Sequence, residues 1–106
     1  MNRNEYNGWT NYETWLVNMW IDNDEGAHDM WIERANEALA ATDDSLDFVG
    51  RKADAVFELA DTMKDEFENG AEELGLKGFW VDLVNSALSE VNWREIATAV
   101  FENVTE

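Results

Sequence analysis

Cysteine and proline are both missing from this 106-residue chain, histidine occurs once, and cations are scarce. Without cysteine there can be no disulfide framework, thiolate zinc site or cysteine nucleophile, which suits a reducing compartment. Without proline, helix ends have to be marked by capping residues and glycines. No stretch approaches the roughly 18 continuous apolar residues of a membrane span, and Met1 to Gly8 are too polar for a secretory leader. Cytoplasm is therefore the expected location. The shortage of Lys and Arg, 7 against 24 Asp and Glu, leaves a formal net charge of -17. Such a surface repels DNA, RNA and anionic membranes and attracts proteins with positive grooves. The expected partner is a basic protein surface, with no direct contact to nucleic acid or membrane.

What is present argues for a folded body. Hydrophobic residues make up 45% of the chain and include 6 Trp and 5 Phe, unlike an acidic disordered tail. A chain of about 100 to 150 residues is the usual size of one domain. Thr10 and Glu13 have the spacing of a capping box, predicting a helix over residues 11–22 with Tyr12, Trp15, Leu16, Met19 and Trp20 inward. A second helix is predicted over 25–41, with Ala27, Met30, Trp31, Ala35, Ala38 and Leu39 inward. The longest starts near 43–45 and runs to Asn69, with Gly70 as its stop and a separate short turn over 71–74. Leu46, Val49, Ala53, Val56, Ala60, Met63 and Phe67 form its inward stripe, and Gly50 is its weak point. Residues 79–91 give a fourth main helix with Phe79, Trp80, Leu83, Val84, Ala87 and Leu88 buried. Asn92 and Glu95 then cap a helix over 93–103 that buries Trp93, Ile96, Ala97, Val100 and Phe101. No alternating strand pattern or internal repeat is visible. The prediction is an all-α, single-domain, compact bundle of five or six helices over 10–106, preceded by a flexible segment over 1–9, and monomeric.

The acids are arranged as well as abundant. Asp54, Glu58, Asp61, Asp65 and Glu68 are spaced four, three, four and three, which places them within a sector about 80° wide on one helix. Like charges at these spacings repel by about 0.2 to 0.5 kcal/mol each. Three explanations compete: solubility, halophilic adaptation, and imitation of a phosphate backbone that occupies another protein's nucleic-acid groove. The stripe has one charge per roughly 5 Å, against about 3.4 Å along a DNA strand. A mimic would need a second acidic edge, for which Asp29, Glu33 and Glu37 are the candidates.

Other polar groupings do not add up to chemistry. Asp22, Asp24 and Glu33 fall where the first, third and twelfth ligands of a calcium loop would, but Gly26 is one place early and Met30, Trp31 and Ile32 read as helix. Asp43, Asp44 and Asp47 read as helix N-terminal charges. His28 has no motif linking it to Ser45, Ser86 or Ser89, and no phosphate-binding glycine loop is present. No catalytic, cofactor-binding or metal-ligating residue is expected, and no enzyme.

The segment Gly8, Trp9, Thr10, Asn11, Tyr12, Glu13, Thr14, Trp15, continuing through Trp20, Asp22 and Asn23, resembles an opening shared by small acidic proteins of phages and mobile elements. By length and acidity the whole chain is similar to anti-CRISPR proteins directed at type I systems, type I-E above all. The resemblance implies inhibition by binding: a phage-encoded protein that occludes a host CRISPR effector or its nuclease-helicase. The alternative is an acidic accessory or antirestriction protein with no CRISPR target. Within the motif, Trp9 reads either as a hydrophobic staple on the first helix or, with Tyr12, as an exposed aromatic anchor for the partner.

Overall fold

Five helices account for the architecture of the computed structural model, which describes residues 6, 8–43 and 45–104. They are α1 (Tyr12–Asn23), α2 (Glu25–Ala40), α3 (Phe48–Glu73), α4 (Phe79–Ser89) and α5 (Trp93–Phe101), with no strand among the described residues. The all-α bundle expected from the sequence is what forms. α3, about 39 Å long at 1.5 Å per residue, is the spine against which α2, α4 and α5 pack, and α1 lies on α2 and α5. The flexible segment expected over 1–9 falls largely outside the described residues, but Trp9 within it packs against the core.

Capping side chains set most helix starts. Asn11, Asp24, Asp47 and Asn92 each accept a backbone N–H from the first turn of α1, α2, α3 and α5. The Thr10–Glu13 capping box does not form. Asn11 takes the cap instead, because its amide oxygen reaches both the Thr14 N–H (2.9 Å) and the Thr14 hydroxyl (2.6 Å). α3 begins later than predicted, at Phe48, so Gly50 falls in its first turn, where its N–H donates to Asp47 at 2.8 Å, and it is no interior weak point. Gly70 does not stop α3 either. The helix runs on through Ala71, which is buried, and ends where Gly75 adopts φ +80. The Gly75 and Leu76 N–H groups then donate to Glu72 and Ala71 carbonyls, the paired bonds of a Schellman ending.

The core is an aromatic ladder walled by small residues. Trp31 of α2 stacks on Phe67 of α3 at 6.2 Å, Phe67 meets Trp93 of α5 at 5.2 Å, and Ala35, Ala55, Leu59, Met63, Ile96 and Ala97 close around them. The inward set of α5 is the predicted one in full. In α3 the stripe holds from Val56 onward, but Leu46, Val49 and Ala53 are exposed because the N-terminal end of the helix overhangs the bundle.

α1 and α4 depart furthest from expectation. α1 turns Thr14, Asn18 and Ile21 inward, and leaves Tyr12 and Trp20 exposed and Trp15, Leu16 and Met19 half-buried. Its polar inner side is held by one bond that only the fold supplies, Asn92 N–H donating to the Thr14 hydroxyl at 2.9 Å, and by a local one within α1, Asn18 donating to Asp22 at 3.1 Å. No residue of α4 is fully buried, and Phe79, Trp80, Leu83 and Ala87, predicted to be buried, face outward. Its inner side is Val81, Val84 and Leu88, so α4 is apolar on two sides and cannot bury both against α3. Thr14→Val keeps the shape but removes the acceptor for Asn92 N–H, and it is expected to lower unfolding stability by about 1 to 3 kcal/mol in urea denaturation.

Candidate protein-binding surface

The acidic stripe is displayed as its spacing implied. Ala55, Val56, Leu59, Ala60, Met63 and Phe67 take the inner side of α3, so Asp54, Glu58, Asp61 and Asp65 are exposed and Glu68 is half-buried. Because α3 continues past Gly70, Glu72 adds a sixth carboxylate four residues on, and the row lengthens to about 27 Å. A helix that stops at Gly70, as the sequence predicts, leaves that residue off the row. Lys64 is three from Asp61 and four from Glu68, yet it forms no ion pair with either. Arg34 pairs with Glu66, which ties α2 to α3 beside the stripe. The Arg34 guanidinium also lies 5.1 Å from the Trp31 ring, fixing it in place.

The second acidic edge is only partly brought to the first. A groove between α2 and α3 holds an open cavity of about 550 Å³ lined by Ala38, Ala41, Thr42, Asp43, Asp54, Phe57 and Glu58. A neighbouring one of about 240 Å³ is lined by Arg34, Glu37, Ala38, Glu58, Leu59 and Thr62. Glu37 therefore faces Glu58 across the groove, and Asp43 and Asp54 stand further along it. Asp29 and Glu33 are exposed on α2, on the side away from Trp31 and Ala35, and line neither cavity. The backbone N–H and hydroxyl of Ser45 hold the Asp43 carboxyl below its ordinary value, so this groove residue keeps its charge further into acid.

Phe57 is the aromatic of this groove, and no local pattern in the sequence singles it out. It is 57% exposed beside the carboxylates, with the Arg94 guanidinium 5.6 Å from its ring. Its position, one residue before Glu58 on the edge of the stripe, follows from the helix phase, but the groove it lines exists only once α2 packs on α3.

Trp9 and Tyr12 do not join this surface. Trp9 packs on the core and lines a cavity with Glu95, Thr98, Ala99 and Glu102 of the α5 region, which is neither a staple on Trp15 of the first helix nor part of the acidic face. Tyr12 is exposed, with its ring against Trp15 at 5.6 Å and Tyr6 at 6.3 Å. The polar members of the motif act as a clasp. Thr10 N–H donates to Glu95 at 3.0 Å, Asn11 donates to the Glu90 carbonyl at 2.6 Å, and Asn92 donates to the Thr10 hydroxyl at 3.3 Å. Together with Thr14 they pin the start of α1 to the turn between α4 and α5.

The remaining polar groupings take structural parts. Asp24 caps α2 through Gly26 and Ala27 N–H groups, and Glu33 lies on that helix, so no ion-binding loop exists there. Asp47 caps α3, and Asp44 lies outside the described residues. His28 lies 3.7 Å from Asp29 and lines a cavity of about 220 Å³ with Asp22, Asn18 and Glu102 but with no serine. Among the described residues no group of three or more His, Asp or Glu is placed to hold a metal, and no helix is long and apolar enough to cross a membrane.

The chain belongs to DUF7249, a family of unknown function, whose family model matches residues 2–103. Searches of curated proteins and of solved structures gave no match.

Proposed function

We propose that this DUF7249 member is an inhibitor that works by capture: it binds a basic surface of a nucleic-acid-processing protein through the acidic face of α2 and α3 and blocks it by occlusion. The observation that carries this reading is the exposed row Asp54, Glu58, Asp61, Asp65, Glu68 and Glu72, unneutralised by Lys64 and joined across the α2–α3 groove by Glu37. A row kept negative along five turns suits a partner that ordinarily grips a phosphate backbone. Asp29 and Glu33 extend the field on the outer side of α2, while Phe57 supplies short-range apolar contact beside it. Trp9 and Tyr12 lie apart and take no share in the proposed contact.

The resemblance of residues 8–23 to phage and mobile-element proteins, and of the whole chain to type I-E anti-CRISPR proteins, makes the target a type I CRISPR effector subunit or its nuclease-helicase in the host cytoplasm. A restriction enzyme would present the same chemistry and differ as a target only. The test is capture of purified effector subunits, nuclease-helicase and a restriction enzyme by the tagged chain at two ionic strengths. Binding should be strong at about 0.01 M salt, where the Debye length is about 30 Å, and much weaker at about 0.15 M, where it is about 8 Å. Capture of none of them at low salt, or capture indifferent to salt, would refute the reading.

A further inference from the structure

A second surface, on α1 and α4, has the opposite character. The two helices scarcely touch, and between them runs an open groove of about 170 Å³ lined by Leu16, Val17, Val84, Ala87, Leu88 and Val91, with Glu13 at one end. At 100° per residue Trp20 falls between Leu16 and Val17 on α1, and Trp80 between Ala87 and Val84 on α4, so both tryptophans extend the groove walls. Flanking it are two ridges of the same spacing: Tyr12, Leu16 and Trp20 on α1, and Phe79, Leu83 and Ala87 on α4. Trp20, Phe79, Trp80 and Leu83 are 67%, 67%, 61% and 50% exposed. Aromatic side chains carry roughly 150 to 250 Å² each, so these residues and Tyr12 offer on the order of 600 Å², the upper end of what an ordinary monomer leaves uncovered. With the groove lining added, the area approaches the roughly 800 Å² per partner of a stable interface.

Charge identifies the occupant. Glu13, Asp22 and Asp82 are the only charged residues of α1 and α4, whereas the acidic row and its groove lie on α2 and α3. A cationic segment would find few carboxylates on this face, while a like-charged copy of the chain could cover it and keep the acidic surfaces of both molecules outside. We propose that this face is a twofold interface between two copies of the chain, with the Phe79–Leu83 ridge of each seated in the α1–α4 groove of the other. A ridge beside a groove on one patch is self-complementary under a twofold axis, and spacing of four on both helices is the pattern that interdigitates. Two copies would then present two acidic rows. The sequence predicts a monomeric or weakly associating protein with Phe79, Trp80 and Leu83 in the core, and their exposure is what opens this face to a second copy. The interface stands independently of what the acidic row binds.

Sedimentation equilibrium of the full chain, repeated across salt, tests this. The expected mass is twice the 12.2 kDa of one chain, and the dimer tightens with salt, because screening weakens repulsion between copies while apolar burial persists. Capture of a basic partner through the acidic row weakens with salt, so the two interactions separate by sign. Leu83→Asp, at a half-exposed site where the monomer loses little, should raise the dimer Kd by at least about a hundredfold, since the twofold interface would bury two uncompensated carboxylates. Tryptophan emission should shift to the blue on association in the parent chain and not in the variant. A single-chain mass at high salt and high concentration overturns the proposal. So does a dimer that survives both Leu83→Asp and Trp80→Asp, or a cationic amphipathic peptide that binds the groove of a chain that does not self-associate.

Discussion

Replacing Glu58, Asp61 and Asp65 together by Lys is expected to abolish capture of the basic partner while leaving the helical circular dichroism spectrum intact. Each replacement reverses a charge at an exposed position on the outer side of α3, where no core contact is lost. Helix stability should change by no more than about 1 kcal/mol, because two of the four repulsive neighbour pairs become attractive while the attractive Asp61–Lys64 pair becomes repulsive. The partner instead meets three cations at the centre of its intended contact, opposite its own. Steered association gains about 10 to 10³ in rate from complementary fields, and the variant should lose that gain at low salt. The check is the association rate measured at several ionic strengths for parent and variant. A variant that still captures its partner at the parent rate would remove the row from the mechanism and leave the acids with solubility as their role.

Ile96→Ala should lower unfolding stability by about 2 to 5 kcal/mol, the range for removing a large aliphatic side chain from a packed site that relaxes only in part. Ile96 is fully buried on α5, inside the aromatic ladder and away from both proposed surfaces. Against the roughly 5 to 15 kcal/mol of a typical domain, this is a large share. It should appear as a lower urea midpoint with an unchanged slope. Capture per folded molecule should be preserved, which distinguishes this variant from the charge-reversed one. A midpoint shift worth less than about 1 kcal/mol would mean that α5 does not close the core as described.

Much of the bundle could be read directly from local patterns. α5 is apolar on one side only and has an Asn cap, so its start and buried set follow from residues 92–101 alone, while it ends at Phe101, two residues before the predicted end. The acidic stripe was legible for the same reason: from Val56 onward α3 has one apolar and one charged side, and fixing one fixes the other. Glu72 is hidden from a sequence reading by the extent of the helix, and Phe57 by the groove that only the packing of α2 on α3 creates. Gly70 has the local signature of a helix end, but burial of Ala71 carries the helix past it, and Gly75 ends it. The pairing of Glu37 with Glu58 joins residues 21 apart and depends on how α2 lies on α3.

The chain by itself determined that helices form, roughly where they begin, and that one of them shows an unbroken row of carboxylates, since capping, periodicity and like charge all act within a few residues. Only the tertiary structure decided which way α1 and α4 turn. α1 has aromatics on one side and Thr14, Asn18 and Ile21 on the other, and its polar side goes inward because Asn11 and Asn92, the latter 78 residues away, satisfy the Thr14 hydroxyl there. α4 is apolar on two sides, so its own sequence cannot choose between them, and the single surface of α3 available to it leaves the other in water.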